Sequence, residues 1–102
     1  MEEVRPVKLR YSARARGDID QIHDYIAQHN PRVATAVAAR IRDTAELLTR
    51  HPGIARPTDI AGIRVLAVGR FPYLVYCTIE GDELVVIHVR HGARAAPKPG
   101  EL

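Results

Sequence analysis

Near the start of the chain, Val7, Leu9 and Tyr11 alternate with the charged Lys8 and Arg10. A period of two places the apolar set on one face of an extended backbone, so residues 7–11 are predicted to form a short first strand. Ser12 follows as an N-cap. The period then changes. Ala15, Ile19, Ile22 and Ile26 recur at gaps of four, three and four. That spacing makes one apolar stripe on a helix running to about residue 29, with Asp18, Asp20, His23 and Asp24 on or near its wet side. Gly17 weakens this helix slightly through its backbone freedom.

Asn30-Pro31 ends this helix and opens another. Asn caps, and proline suits the first helical turn because the N–H it lacks has no partner there. Ala34, Val37, Ile41, Ala45 and Leu48 form the second stripe, and His51-Pro52-Gly53 stops it. The short connection makes the pair an antiparallel hairpin, and alanines at 34, 36, 38 and 39 permit close approach.

Residues 53–63 read as a loop with two glycines and a proline. Strand patterns then occupy residues 64–71, 73–80 and 83–91, with a tight Gly81-Asp82 turn before the last. The Pro- and Gly-rich tail after about residue 94 is expected to be loose at its end. The predicted order is β-α-α-β-β-β over a single domain, residues 1–102. It is an α+β fold with a helical hairpin packed on one face of a small antiparallel sheet.

Strict alternation in the last strand puts Val85, Ile87, Val89 and His91 toward the helices. It puts Leu84, Val86, His88 and Arg90 on the opposite face. In the strand before it, Leu74, Tyr76 and Thr78 also face away, so that surface is too apolar for open solvent. A partner protein or the chain's own loops and tail must cover it, and the partner is the favoured expectation.

Composition narrows the chemistry. A chain of 102 residues holds one modest core. The stretch MEEVRPVK has no apolar leader, and no apolar run approaches a membrane span, so a soluble cytoplasmic protein is expected. The lone cysteine, Cys77, sits in the apolar run YLVYCTI and reads as a buried small residue rather than a catalytic thiol. The histidines at 23, 29, 51, 88 and 91 have no ligand spacing, so no metal and no cofactor are expected. Net charge is only +3, yet thirteen of the fifteen cations are arginine. GC-rich coding produces such a bias; so does selection for bidentate contact with carboxylates or phosphates.

Several patterns in order carry a resemblance. They are Ser12, Ala15, Asp18, Ile19, Ile22, Tyr25 and Ile26 in the first helix, and Leu48 with Pro52 at the end of the second. Gly62 with Arg64, the strand Tyr73-Leu74-Val75-Tyr76, and Val85, Ile87, His91 and Arg94 follow. Over roughly residues 7–94 the chain resembles the RelE/ParE superfamily of toxins from type II toxin–antitoxin systems, on the ParE (plasmid-stabilisation) side. The resemblance implies the fold just derived and a cognate antitoxin whose C-terminal segment wraps the toxin. It also implies growth arrest when that antitoxin is lost. ParE-like members poison DNA gyrase without catalysis; RelE-like members cleave mRNA on the ribosome. A toxin fold that has lost toxicity and survives as an antitoxin-binding regulator is a third outcome.

RelE-like chemistry draws on a basic cluster, often with lysine and a C-terminal aromatic or histidine. Here no lysine lies between Lys8 and Lys98, and no aromatic residue follows Tyr76. No catalytic residue is therefore expected. A ribonuclease would have to use His91, Arg94, Arg64 and Arg56. The open face assigns Tyr76, His88, Arg90, Leu74 and Arg70 to the antitoxin, and the resemblance assigns Arg94 and Arg56 to the target. His91 is expected to make a structural hydrogen bond, and Arg64 to reach a carboxylate such as Asp18 or Asp59. Arg56 follows Ala55 where many relatives have a Gly-Arg pair, and a solvated loop charge is its alternative.

Overall fold

A computed structural model describes residue 6, residues 8–94 and residues 96–102. The first strand, β1, spans Lys8–Tyr11; Val7, the first residue of its sequence pattern, lies outside the described residues. Helix α1 covers Ala13–Ala27, with Ser12 Oγ accepting the Ala15 N–H at 3.1 Å. Helix α2 covers Pro31–Arg50, with Asn30 Oδ1 accepting the Val33 N–H at 3.2 Å and Pro31 in the first turn. Both caps are the ones the sequence marks. A 3-10 turn at Pro52–Ile54 ends the hairpin.

Four strands follow: β2 at Arg56–Pro57, β3 at Arg64–Ala67, β4 at Tyr73–Glu80 and β5 at Glu83–His91. The sheet order is β1-β5-β4-β3-β2. β1 lies parallel to β5 and the other pairings are antiparallel, so the sheet is mixed rather than wholly antiparallel. Residue alternation fixes which face a side chain takes but not strand direction, which is why the parallel pair escaped the sequence. The short β2 falls inside the stretch whose sequence reads as loop, and β3 ends four residues earlier than its apolar pattern.

The helices cover one face of the sheet. Both sequence stripes point into that layer: Ala15, Val37, Ile41, Ala45 and Leu48 join Val75, Leu84, Val86 and Val89 in one core cluster, with Ile19, Ile22 and Ile26 packed against it. Among the described residues no helix is long and apolar enough to cross a membrane.

The strict alternation expected in β5 fails at one point. Cys77 pairs with Val86 and Tyr76 with His88, so Ile87 is an extra residue, a β-bulge. One inserted residue reverses every side chain beyond it. Leu84 and Val86 therefore face the helices, contrary to expectation, and so do Val89 and His91, as expected. Val85 is buried on the opposite side, across from Thr78.

The outer face is partly covered by the chain itself, with Leu74, Thr78 and Arg90 left half-buried. Val65 and Tyr76, paired on adjacent strands, are buried although they stand outside the helix-side core. Ala96 and Pro97 of the tail share a crevice of about 220 Å³ with them, with β2 and with the loop at 58–60. The tail, expected to be loose, thus returns over the sheet and closes with a 3-10 turn at Pro99–Glu101, where the Lys98 N–H donates to Glu101 Oε1 at 2.9 Å.

Candidate functional site

The chemistry-bearing side chains gather where β5 outruns β1. The parallel pairing ends at Val86, whose carbonyl accepts the Ser12 N–H at 2.9 Å. Beyond that point α1 occupies the sheet edge with side chains in place of backbone. Ser12 Oγ–H donates to the Ile87 carbonyl at 3.2 Å. Asp18 Oδ2 accepts the Val89 N–H at 3.0 Å and the His88 Nδ1–H at 2.7 Å. Arg14 stands 3.9 Å from the other Asp18 oxygen, one turn earlier on α1.

From His88 the contacts run across the outer face. Its ring lies 5.6 Å from that of Tyr76. Tyr76 Oη accepts Arg90 Nε–H at 2.8 Å, and the guanidinium sits 5.5 Å from the Tyr76 ring centre. Arg90 Nη1 also donates to the carbonyls of His91 (3.1 Å) and Arg94. Arg90 therefore clamps the turn that leaves the strand. On the helix side, the His91 ring meets Tyr73 edge-on at 5.4 Å. His91 Nδ1 accepts the Ala93 N–H at 3.0 Å, the local structural bond expected of it. Burial pushes the Tyr73 phenol above its usual pKa, and nearby Tyr25 raises it further.

Comparison with known proteins gives this arrangement its relatives. Residues 9–96 match the family model described as ParE toxin of type II toxin–antitoxin system, parDE. The chain belongs to the ParE toxin family. It is 32% identical to Toxin RelE2 of Caulobacter vibrioides over 81 residues, 79% of this chain and 90% of that protein. It is 30% identical to Toxin ParE1 of the same organism over 89 residues, 84% of this chain and 93% of that one. Its fold matches the chromosomal ParDE toxin–antitoxin system from P. aeruginosa with a TM-score of 0.74 at 23% identity, covering 82% of this chain and 94% of that one.

This ParE-family chain distributes the residues singled out from sequence over separate places. His91 and Arg94 line one cavity, between α1 and the end of β5. Arg56 is exposed on β2 at the far edge of the sheet and lines the crevice under the tail. Arg64 Nη1 donates to the Ala55 carbonyl at 2.9 Å, not to Asp18 or Asp59 as expected. That bond pins the 3-10 turn to β3. Arg70 is exposed in the β3–β4 connection, and Leu74, half-buried, pairs with Arg90.

His88 does not project freely from the outer face as expected; its ring is buried and turned to Asp18. Asp18 itself was assigned to the wet side, yet its side chain is only 17% accessible. Position 18 lies three residues after Ala15 and four before Ile22, which is the apolar stripe itself, so the signal was present in the spacing. Cys77 is buried, and desolvation pushes its thiol pKa up to about 11 despite the opposing Arg64 charge. A thiol held protonated in this way is a poor nucleophile.

Proposed function

We propose that this toxin arrests growth by binding DNA gyrase, without catalysis of its own, and that an antitoxin segment holds it inactive in the cytoplasm. The observation carrying the first part is the separation of Arg56 and Arg64 from the His91–Arg94 pair. RNA cleavage needs a base, a phosphate clamp and a proton donor around one scissile bond, each within hydrogen-bond reach. His91 sits on β5 and Arg56 on β2, three strand spacings apart, which is roughly 14 Å in the sheet plane. Arg64 is spent on a backbone carbonyl.

The antitoxin follows from membership in a family of toxin–antitoxin toxins and from the likeness to the ParDE system. On this chain the segment would run over Leu74, Arg70 and Arg90, with Tyr76 and His88 beneath them, and target contacts would fall to Arg94 and Arg56. Acidic antitoxin groups facing these arginines would give orientation and fast association.

The deciding experiment adds purified toxin to gyrase in a DNA supercoiling assay, with transcript integrity and growth followed after induction in cells. Lost supercoiling or a trapped cleaved complex, with intact mRNA, is the expected result. Transcripts cut on ribosomes, with cutting abolished by His91→Ala, would replace this reading with ribonuclease action. Unimpaired growth would mark a non-toxic binding homologue.

A further inference from the structure

The cavity between α1 and the end of β5 encloses about 690 Å³, within the range of small-molecule sites. Arg14, Asp18, Ile22 and Tyr25 descend one face of α1, and Tyr73, His91 and Arg94 face them. Three features give this space a chemical preference.

The first is charge. The one carboxylate among the described residues that line the cavity, Asp18, has an oxygen already filled by the Val89 N–H and His88 Nδ1–H, while its other oxygen is only loosely opposed by Arg14. Three arginines, Arg14, Arg90 and Arg94, thus line the space against that committed carboxylate; Arg90 is bound to Tyr76 Oη and to backbone carbonyls, which leaves Arg14 and Arg94 for a ligand. The second is tautomer. Because His91 Nδ1 accepts the Ala93 N–H, the neutral ring carries its proton on Nε2. An N–H donor is thereby fixed on the far nitrogen of a ring that lines the same cavity as Arg94. The third is the aromatic wall. Tyr25 is 67% exposed, high for a tyrosine on a helix flank, and Tyr73 lines the same cavity.

Fixed N–H donors beside guanidinium groups match a phosphate, and an uncovered tyrosine face matches a base. An acidic peptide would satisfy the cations but leave Tyr25 unused. We propose that this cavity binds a phosphate-bearing nucleotide, either free or as part of a single strand. Arg14, Arg94 and His91 hold the phosphate, and Tyr25 stacks on the base. The site shares Arg94 with the proposed target contacts but adds Arg14 and Tyr25, and its test needs no gyrase, so nucleotide binding and gyrase inhibition are scored separately.

The probe is a fluorescein-labelled single-stranded DNA decamer, read by anisotropy, with dAMP and inorganic phosphate as competitors. The variants are the doubly substituted Arg14→Gln/Arg94→Gln, Tyr25→Leu, and a control of equal charge, Arg42→Gln/Arg50→Gln on α2. Circular dichroism confirms that each folds. The expected result is about tenfold or greater weakening for the cavity pair and about fivefold for Tyr25→Leu, with the control within about twofold. The salt slope should drop by about two for the cavity pair alone. Competition by dAMP at concentrations where phosphate fails identifies a free-nucleotide site; displacement only by unlabelled strand identifies a nucleic-acid site. Equal weakening by the control would show a diffuse basic surface and overturn the proposal. So would absence of binding to the decamer and dAMP alike.

Discussion

Asp18→Ala is the substitution that most directly tests how α1 is joined to the sheet. One oxygen of Asp18 accepts two bonds, from the Val89 N–H at 3.0 Å and from His88 Nδ1 at 2.7 Å. Both donors belong to buried residues, and the carboxylate is 17% accessible. A bond to a charged group contributes about 1.5–3 kcal/mol net, and a buried donor left unpaired costs about 1–3 kcal/mol. The two bonds share one acceptor oxygen and water reaches part of it, so the low end applies. The expected loss is about 3 kcal/mol, roughly a hundredfold in the folding constant. Urea unfolding followed by far-UV circular dichroism measures it.

Asp18→Asn keeps an acceptor for the Val89 N–H and should lose only about 1 kcal/mol. A double-mutant cycle with His88→Ala should return a coupling of about 1 kcal/mol or more, because the two groups share a bond. A loss under about 0.5 kcal/mol for Asp18→Ala, or additivity in the cycle, would refute the claim that this carboxylate seals the β5 edge.

Stability should also depend on alkaline pH. Cys77 has a folded pKa raised from 9.0 to about 11, and Tyr11 and Tyr73 are raised as well, all chiefly by burial. A raised pKa contributes stability below the unfolded value and loses it as pH climbs toward the folded one. Urea midpoints should therefore fall between about pH 9 and 11, with the Cys77 share near 2–3 kcal/mol. Cys77→Ala should flatten part of that decline, and an unchanged profile would count against the burial argument. Leu48→Ala should cost about 2–5 kcal/mol, because Leu48 is fully buried between the hairpin and the sheet; calorimetry reads it as a lowered Tm. Arg90→Leu should free the turn at 91–94, seen as faster amide exchange at Gly92 to Arg94 with little change in global stability.

Much of the fold was legible because periodicity survives burial. The two helical stripes name residues that meet in the core, and Ser12 and Asn30 cap the helices they were expected to cap. The failures share a cause: they depend on pairing rather than pattern. Strand direction leaves no trace in alternation, so the parallel β1–β5 pair was invisible. The bulge at Ile87 shows only when β5 is aligned with β4. Arg64 found a carbonyl where a carboxylate was expected, since a guanidinium accepts either partner and local geometry chooses. Asp18 was the avoidable miss. A carboxylate inside an apolar stripe is a buried polar group, and such a group requires a partner.

The way α1 meets β5 also limits how this molecule can join others. A strand that outruns its neighbour presents backbone groups that recruit further strands, from a partner or from an aggregate. Here Ser12 and Asp18 occupy two of those groups on β5, the Ile87 carbonyl and the Val89 N–H. Strand addition is thereby directed to the two rims of the sheet. One rim is the four-residue β1, whose Lys8 and Arg10 are paired to Asp82 in the β4–β5 turn and to Glu80 and Glu83 on either side of it; the other is the two-residue β2, where Pro57 lacks an N–H. Both are short, and β1 is charged and β2 proline-bearing, so a lengthening ladder of copies finds little purchase while a single tailored strand still finds room.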